Sequence, residues 1–188
     1  MNEYRILSID PGSDQLGLAL SQIDAQYNWH LLGTLGLDAS RVLSIHMLYQ
    51  DLAERHGARF ARIQALGELF RRELTLIDPD HVISESPFMH VKSHAYSALV
   101  EVLHMLKTNC FEYNPFICFE TIAPLLAKKT IGMAGKDAGD KESIRTRLAE
   151  DLYSDPFVYI NDEFDIYAVN EHEIDAILVG YHYFKSHF

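Results

Sequence analysis

The chain has 188 residues, of which 48% are hydrophobic and 23% are charged, and this composition is typical of one folded domain, here spanning residues 1–188. It lacks both an apolar run of the ~20 residues that cross a membrane and the N-terminal pattern of a signal peptide, so we expect a cytoplasmic protein with no membrane partner. The formal net charge of −11, from 16 basic and 27 acidic residues, argues against a nucleic-acid partner unless the basic side chains gather on one face.

The first part of the chain predicts three strands joined by close turns. Apolar runs over 4–10, 16–23 and 28–36 suit an antiparallel meander. A polar break over 38–44 follows the third run. We therefore expect the chain to begin with a small antiparallel sheet.

The rest of the chain predicts strands that alternate with helices. Together with the meander, this order gives an α/β fold with a mixed five-stranded sheet flanked by helices. A segment over 153–170 has no clear pattern and is expected to be a loop. The expected elements are a helix over 59–76, a strand over 81–85, a helix over 91–107, a strand over 115–119, a short helix that begins near Pro124, a basic loop over 132–141, a helix over 141–152 and a last helix over 171–185.

The two cysteines, Cys110 and Cys118, are too few to cross-link a chain of this length. We expect both to be free thiols that behave as small buried apolar residues. Their spacing is not the CxxC spacing found in many zinc sites.

Acidic residues stand at the ends of two predicted strands. Asp10 ends the first strand and Glu85 ends the fourth, and neighbouring strands would bring both to one edge of the sheet. His172 and Asp175 are three residues apart on the last helix, so they share a face that can point at this edge. Such a group would repel itself without cations, and its oxygen ligands suit two Mg²⁺ or Mn²⁺ ions that hydrolyse a phosphodiester.

Each of these residues also has an ordinary structural interpretation. Asp10 begins an Asp-Pro-Gly sequence that is common in turns, and Glu85 could be a surface acid. His172 and Asp175 could lie in the solvated first turns of a helix, where acids are favoured. Only the joint order of the four residues favours a metal site.

Four segments of the chain share a pattern with one known family. They are ILSIDPGSDQLGLAL from Ile6, RIQALGELFRRELTLIDPDHVISESPFM from Arg62, AKKTIGMAGKDAGDKESI from Ala127 and HEIDAILVGYHY from His172. These segments combine an Asp-Pro-Gly-Ser turn, a strand that ends in an acid, a basic loop and a closing helix with a final acid. Taken together, they resemble the RuvC-type Holliday junction resolvases.

The resemblance implies a ribonuclease-H-like fold and a homodimer that cuts four-way DNA junctions symmetrically with Mg²⁺ or Mn²⁺. It implies that Asp10, Glu85, His172 and Asp175 form the catalytic and metal-binding group. Phe88, three residues after Glu85, matches the aromatic residue that stacks on bases at the junction centre.

The basic loop carries the residues that the resemblance assigns to DNA. Lys128 and Lys141 match the family's basic residues near the cut, and Lys129 and Lys136 are further candidates because the loop aligns in more than one way. Two segments, 39–57 and 153–170, depart from the family pattern. These departures suit a phage or viral member, active in the host cytoplasm, that cuts branched DNA more broadly.

Other functions stay open from sequence. A related ribonuclease-H-like nuclease could act on other branched DNA or on structured RNA. A catalytically inactive nucleic-acid-binding module would lack the metal site. A nucleotide-binding member of the actin and sugar-kinase clan would need a second lobe, for which 188 residues are too few.

Overall fold

A six-stranded mixed sheet is the centre of the protein in the computed structural model, which describes residues 3–88, 93–133 and 140–188. The first three strands form the predicted antiparallel meander, and the later strands pair in parallel with their neighbours. The order across the sheet is β5-β4-β1-β2-β3-β6. The strands are β1 Tyr4–Pro11, β2 Gln15–Ile23, β3 Trp29–Asp38, β4 His81–Glu85, β5 Cys118–Ile122 and β6 Val158–Ile160.

Two strands differ from the sequence prediction. The segment 153–170 was expected to be a loop, but β6 within it pairs with the start of β3 at the edge of the sheet. Three residues are too few to show an alternating pattern, so its signal comes only from the partner strand. The fifth strand was expected over 115–119 and begins three residues later, because the Asn114 side chain accepts a hydrogen bond from the backbone of Phe116 and holds a turn there.

Helices cover both faces of the sheet. The predicted polar break over 38–44 is mostly helical, since the Asp38 side chain caps α1 by accepting a hydrogen bond from the Arg41 backbone at 3.1 Å. Pro124 lies in the first turn of its helix, as predicted. Within the described residues the helices are α1 Ala39–Ile45, α2 Met47–His56, α3 Ala58–Ile77, α4 Ser93–Tyr113, α5 Pro124–Thr130, α6 Lys141–Ser154 and α7 Glu171–His187.

Two hydrophobic layers enclose the sheet. Side chains of β1 alternate between them: Ile6 packs in the layer with α5, α6 and α7, while Leu7 and Ile9 pack in the layer with α3 and α4. This arrangement buries β1 on both faces, because helices cover both sides of the sheet. No helix in the described parts of the chain is both long and apolar enough to span a membrane.

The two cysteines differ in their surroundings. Cys110 is buried between α3 and α4, as expected, whereas Cys118 is exposed. The expectation of a second buried thiol was wrong because Cys118 begins β5, which is the edge strand of the sheet.

Candidate active site

Two carboxylates leave the sheet at the same edge. Strands β1 and β4 are parallel neighbours, and their pairing runs up to Ile9 beside Ser84. Asp10 and Glu85 are the next residues of the two strands, so their side chains stand together beyond the paired segment. The condition on which the sequence argument depended, that the first and fourth strands are neighbours, is therefore met.

The last helix brings two further side chains to this edge. The Asn170 side chain caps α7 by accepting a hydrogen bond from the Glu173 backbone at 3.0 Å. Two residues after Asn170, the Nδ1 atom of His172 lies 2.7 Å from Oδ2 of Asp10. Asp175 follows on the same helix face and is buried, and its Oδ1 atom has no hydrogen-bond partner in the described part of the chain. The structure therefore brings all four predicted residues together.

A glycine sets the height of α7 above the sheet. A Cβ atom on Gly17 in β2 would lie 2.0 Å from the carbonyl oxygen of His172, which is well inside van der Waals contact. Only a residue without a side chain lets the start of α7 approach β2 this closely. The position of His172 beside Asp10 depends on this contact.

The acids shift one another's protonation. Burial, followed by the negative charges of Asp10 and Asp175, raises the pKa of Glu85 to about 8. Burial also raises the pKa of Asp175. The hydrogen bond with Asp10 raises the pKa of His172, which favours the imidazolium form. The site therefore holds protons that an ordinary pair of exposed acids would release.

Lysine charges offset part of this repulsion. The ammonium group of Lys141, at the start of α6, forms a salt bridge with Oδ2 of Asp175. Burial opposes the charge on Lys141, but Asp175 and Asp10 outweigh it and raise its pKa. Lys128, in the last turn of α5, lies close enough for its positive charge to offset part of the rise in the pKa of both Glu85 and Asp175.

The other candidate lysines are placed less closely. Lys129 follows Lys128 in the same turn and is exposed. Lys136 lies outside the described residues. Among the described candidate lysines, Lys128 and Lys141 are the ones whose charges act on the acids.

Phe88 is exposed beside the end of β4. The backbone of Ser86 donates a hydrogen bond to the carbonyl of Ile122 at 2.8 Å, which fixes the start of the segment after Glu85. Phe88 follows two residues after Ser86. It is 52% exposed, so it is not a core residue. Its predicted contact with DNA bases stays a prediction.

The donor set at this edge suits a hard divalent cation. Three carboxylates and one imidazole are ligands that Mg²⁺ and Mn²⁺ accept, and the unpartnered Oδ1 of Asp175 is a buried acceptor that a cation would satisfy. The described residues hold one group of three such ligand atoms within 4.8 Å of one another, and it lies elsewhere, so these four side chains do not converge that closely on one point.

Sequence reasoning missed two parts of this site. Lys141 was predicted only as a DNA contact, and its partner Asp175 lies 34 residues away, where no spacing rule connects them. The sequence showed Gly17 only as a glycine within the second predicted strand, and its contact with the start of α7 was not predicted. Its signal was a glycine inside an otherwise apolar strand, which is typical of a close approach by another backbone.

Comparison with known proteins identifies the fold. No family model and no curated protein sequence matches the chain. Among solved structures, Thermus thermophilus RuvC in complex with a Holliday junction substrate matches with a TM-score of 0.62 and 14% identity, over 97% of this chain and 94% of that one. Thermus thermophilus RuvC in a second structure matches with a TM-score of 0.62 and 16% identity, over 97% and 95% of the two chains.

A eukaryotic protein has the same architecture. The yeast mitochondrial Holliday junction resolvase Ydc2 matches with a TM-score of 0.66 and 12% identity, over 97% of this chain and 78% of that one. These matches confirm the predicted RuvC-like, ribonuclease-H-like fold over nearly the whole chain. At such identities the similarity is one of fold, and nothing in it supports the predicted phage or viral origin.

Proposed function

We propose that the protein is a metal-dependent endonuclease that hydrolyses DNA phosphodiester bonds at four-way junctions. The observation that carries this proposal is the meeting of Asp10, Glu85, His172 and Asp175 at one edge of a RuvC-like sheet, within reach of lysine charges. Burial and neighbouring negative charges raise the pKa of Glu85 and of Asp175, and such perturbed acids are typical of a functional site. The similarity in fold to two junction resolvases supports the same assignment.

The four side chains would hold two Mg²⁺ or Mn²⁺ ions. Bound in this way, the metal would supply an activated water and stabilise the leaving oxygen of an in-line displacement. Nδ1 of His172 donates a hydrogen bond to Oδ2 of Asp10, which fixes the imidazole ring, so both ligands are oriented before substrate arrives. Glu85 must lose its proton to serve as a ligand, because its carboxyl is partly protonated near neutral pH.

The lysines would bind the DNA backbone. Lys128 and Lys129 share the last turn of α5, and Lys141 stands at the start of α6 in a salt bridge with Asp175. Together they would place a phosphate over the carboxylates in an otherwise acidic protein. Phe88 would stack on a base exposed at the open centre of the junction.

Asp10→Asn tests the proposed site. We expect the variant to lose cleavage of a synthetic four-way junction while it keeps junction binding, because the lysines that bind phosphate remain. Cleavage gels and gel shifts with Mg²⁺ measure the two properties. Asp162→Asn, which changes an exposed acid away from the site, should leave both properties unchanged.

Several outcomes would contradict the proposal. Full cleavage by Asp10→Asn would exclude Asp10 from the chemistry. Cleavage of a flap or an RNA hairpin in preference to the junction by the wild-type protein would favour the related ribonuclease-H-like nuclease. Absence of Mn²⁺ binding in isothermal titration would favour an inactive binding module.

A further inference from the structure

A second group of ligating side chains lies at the opposite end of the parallel strands. His81 begins β4 and Cys118 begins β5, and the two residues are direct partners in the parallel pairing. Glu120 lies two residues after Cys118, so it projects from the same face of the sheet. The three side chains therefore share one face, at the edge remote from Asp10 and Glu85.

The distances within this group suit a single metal ion. The Nε2 atom of His81 lies 3.1 Å from Oε1 of Glu120, and Sγ of Cys118 lies 3.7 Å from the same oxygen. All three ligand atoms lie within 4.8 Å of one another. Ligands around a tetrahedral zinc ion are separated by about 3.4 Å for nitrogen and oxygen and about 3.6 Å for sulfur and oxygen, given the usual bond lengths.

His81 is oriented for a ligand that the protein itself does not supply. Its side chain is only 4% exposed, and the Tyr4 hydroxyl lies 2.7 Å from its Nδ1 atom. The other ring nitrogen, Nε2, is buried and makes no well-aligned hydrogen bond in the described part of the chain, although Oε1 of Glu120 lies 3.1 Å from it. A buried polar atom without a partner is costly, so this atom points to a bound group.

We propose that His81 Nε2, Cys118 Sγ and a carboxylate oxygen of Glu120 bind one divalent transition metal of the zinc class. Cys118 is exposed and the Glu120 side chain is 43% exposed, so a water molecule has access to the fourth position. The ion would replace the proton of the Cys118 thiol, which passes to solvent. The Tyr4 hydroxyl would hold the ring of His81 from its other nitrogen, as outer partners of metal-bound histidines do.

The ligand types separate this site from the candidate active site. Thiolate and imidazole favour zinc over Mg²⁺, whereas the carboxylates of Asp10, Glu85 and Asp175 favour Mg²⁺ or Mn²⁺. The role of the ion bound by His81, Cys118 and Glu120 would be structural. In the described part of the chain, β5 is the edge of the sheet and pairs with β4, and the ion would clamp the first residues of these two strands together.

Cobalt(II) provides a test that does not depend on DNA cleavage. We would titrate Co²⁺ into the full chain after removal of metals with a chelator and reduction of both thiols. We expect one equivalent to give the near-ultraviolet absorption of a cobalt–thiolate bond, and added Zn²⁺ to displace it. Cys118→Ser should abolish the absorption band. Glu120→Gln should weaken Co²⁺ binding at least tenfold. Circular dichroism verifies that both variants fold.

Two control variants make the result specific. Cys110→Ala removes the buried thiol in the other core layer, and Asp10→Asn alters the candidate active site; both should keep the band. Zn²⁺ at a hundredfold excess over its Kd should raise the Tm of the wild type by about 5–10 °C and leave Cys118→Ser unchanged. A wild-type titration without a thiolate band, or a band that survives in folded Cys118→Ser, would overturn the proposal.

Discussion

The surroundings of Glu85 disfavour the negative charge on its carboxylate. It is flanked by Asp10 and Asp175 and is largely removed from water, and these causes raise its pKa to about 8. The folded protein therefore binds the proton of Glu85 more tightly than the unfolded chain does. The stability that this proton provides is complete below the unfolded pKa, near 4.5, and declines as the pH rises toward 8.

Glu85→Gln should therefore stabilise the metal-free protein. The amide resembles the protonated carboxyl, so we expect the free energy of unfolding in EDTA to rise by about 1–3 kcal/mol at pH 8 and by much less at pH 5. Urea unfolding at the two pH values measures this difference. Glu163→Gln, which changes an exposed acid, is the control. A Glu85→Gln protein that is less stable than the wild type at both pH values would refute the idea that the charge of Glu85 is disfavoured.

Phe88 should affect cleavage without affecting stability. Because it is 52% exposed, Phe88→Ala removes little buried surface and should leave the Tm nearly unchanged. Loss of stacking on a base costs about 1–3 kcal/mol, so single-turnover junction cleavage should fall about ten- to a hundredfold. Phe116→Ala, at a position that is 93% exposed before β5, should change neither property. A large fall in Tm with normal cleavage would give Phe88 a packing role instead.

The residues of the candidate active site could be found from sequence, but their interactions could not. Asp10 and Glu85 were identifiable because an acid at the end of an apolar run has a defined place in a sheet. The roles of these acids stay predictions. The salt bridge of Lys141 and the ligand group around Cys118 had no local signal, because each joins residues that only the tertiary fold brings together.

At the scale of elements, the contact between α7 and β2 positions the site. The start of α7 rests on Gly17, and no side chain fits between them. Gly17→Ala should push His172 away from Asp10, lower the free energy of unfolding by about 1–3 kcal/mol and slow cleavage. Chemical denaturation and single-turnover cleavage measure the two effects.

Gly33→Ala provides a matched control for this contact. Gly33 lies in the neighbouring strand β3, where an added Cβ atom would meet nothing within 4 Å. We expect this variant to have the stability and cleavage rate of the wild type. Equal losses in both variants would mean that the cost arises from strand glycines in general and not from the contact with α7.

The accuracy of the predicted element boundaries depended on whether the local sequence alone determines the element. The helix over 58–77 and the strand over 81–85 were predicted closely, because strong periodicity and the Asp78-Pro79-Asp80 stop mark them. Helix α1 was missed because its seven residues, Ala39–Ile45, are too few for a clear periodic pattern. Strand β6 was missed because pairing with β3 defines it.

At the scale of the whole molecule, a paired cut requires paired sites. Two symmetric incisions need two active sites related by a two-fold axis, so we expect a dimer. Light scattering at micromolar concentration should give about 43 kDa, twice the 21.5 kDa of one chain. A monomer that still makes both cuts in one junction would contradict this prediction.

The hydrogen bond between Asp10 and His172 joins residues 162 positions apart in the chain. A ribosome delivers Asp10 early, but the candidate active site lacks His172 and Asp175 until α7 has been synthesised and has docked on β2. A chain that terminates before residue 171 would present Asp10 and Glu85 without the rest of the group. Under the proposed function, a fragment from interrupted translation would lack two of the four metal-binding side chains and should not cleave DNA. Activity would begin only after the sheet and its last helix had folded together.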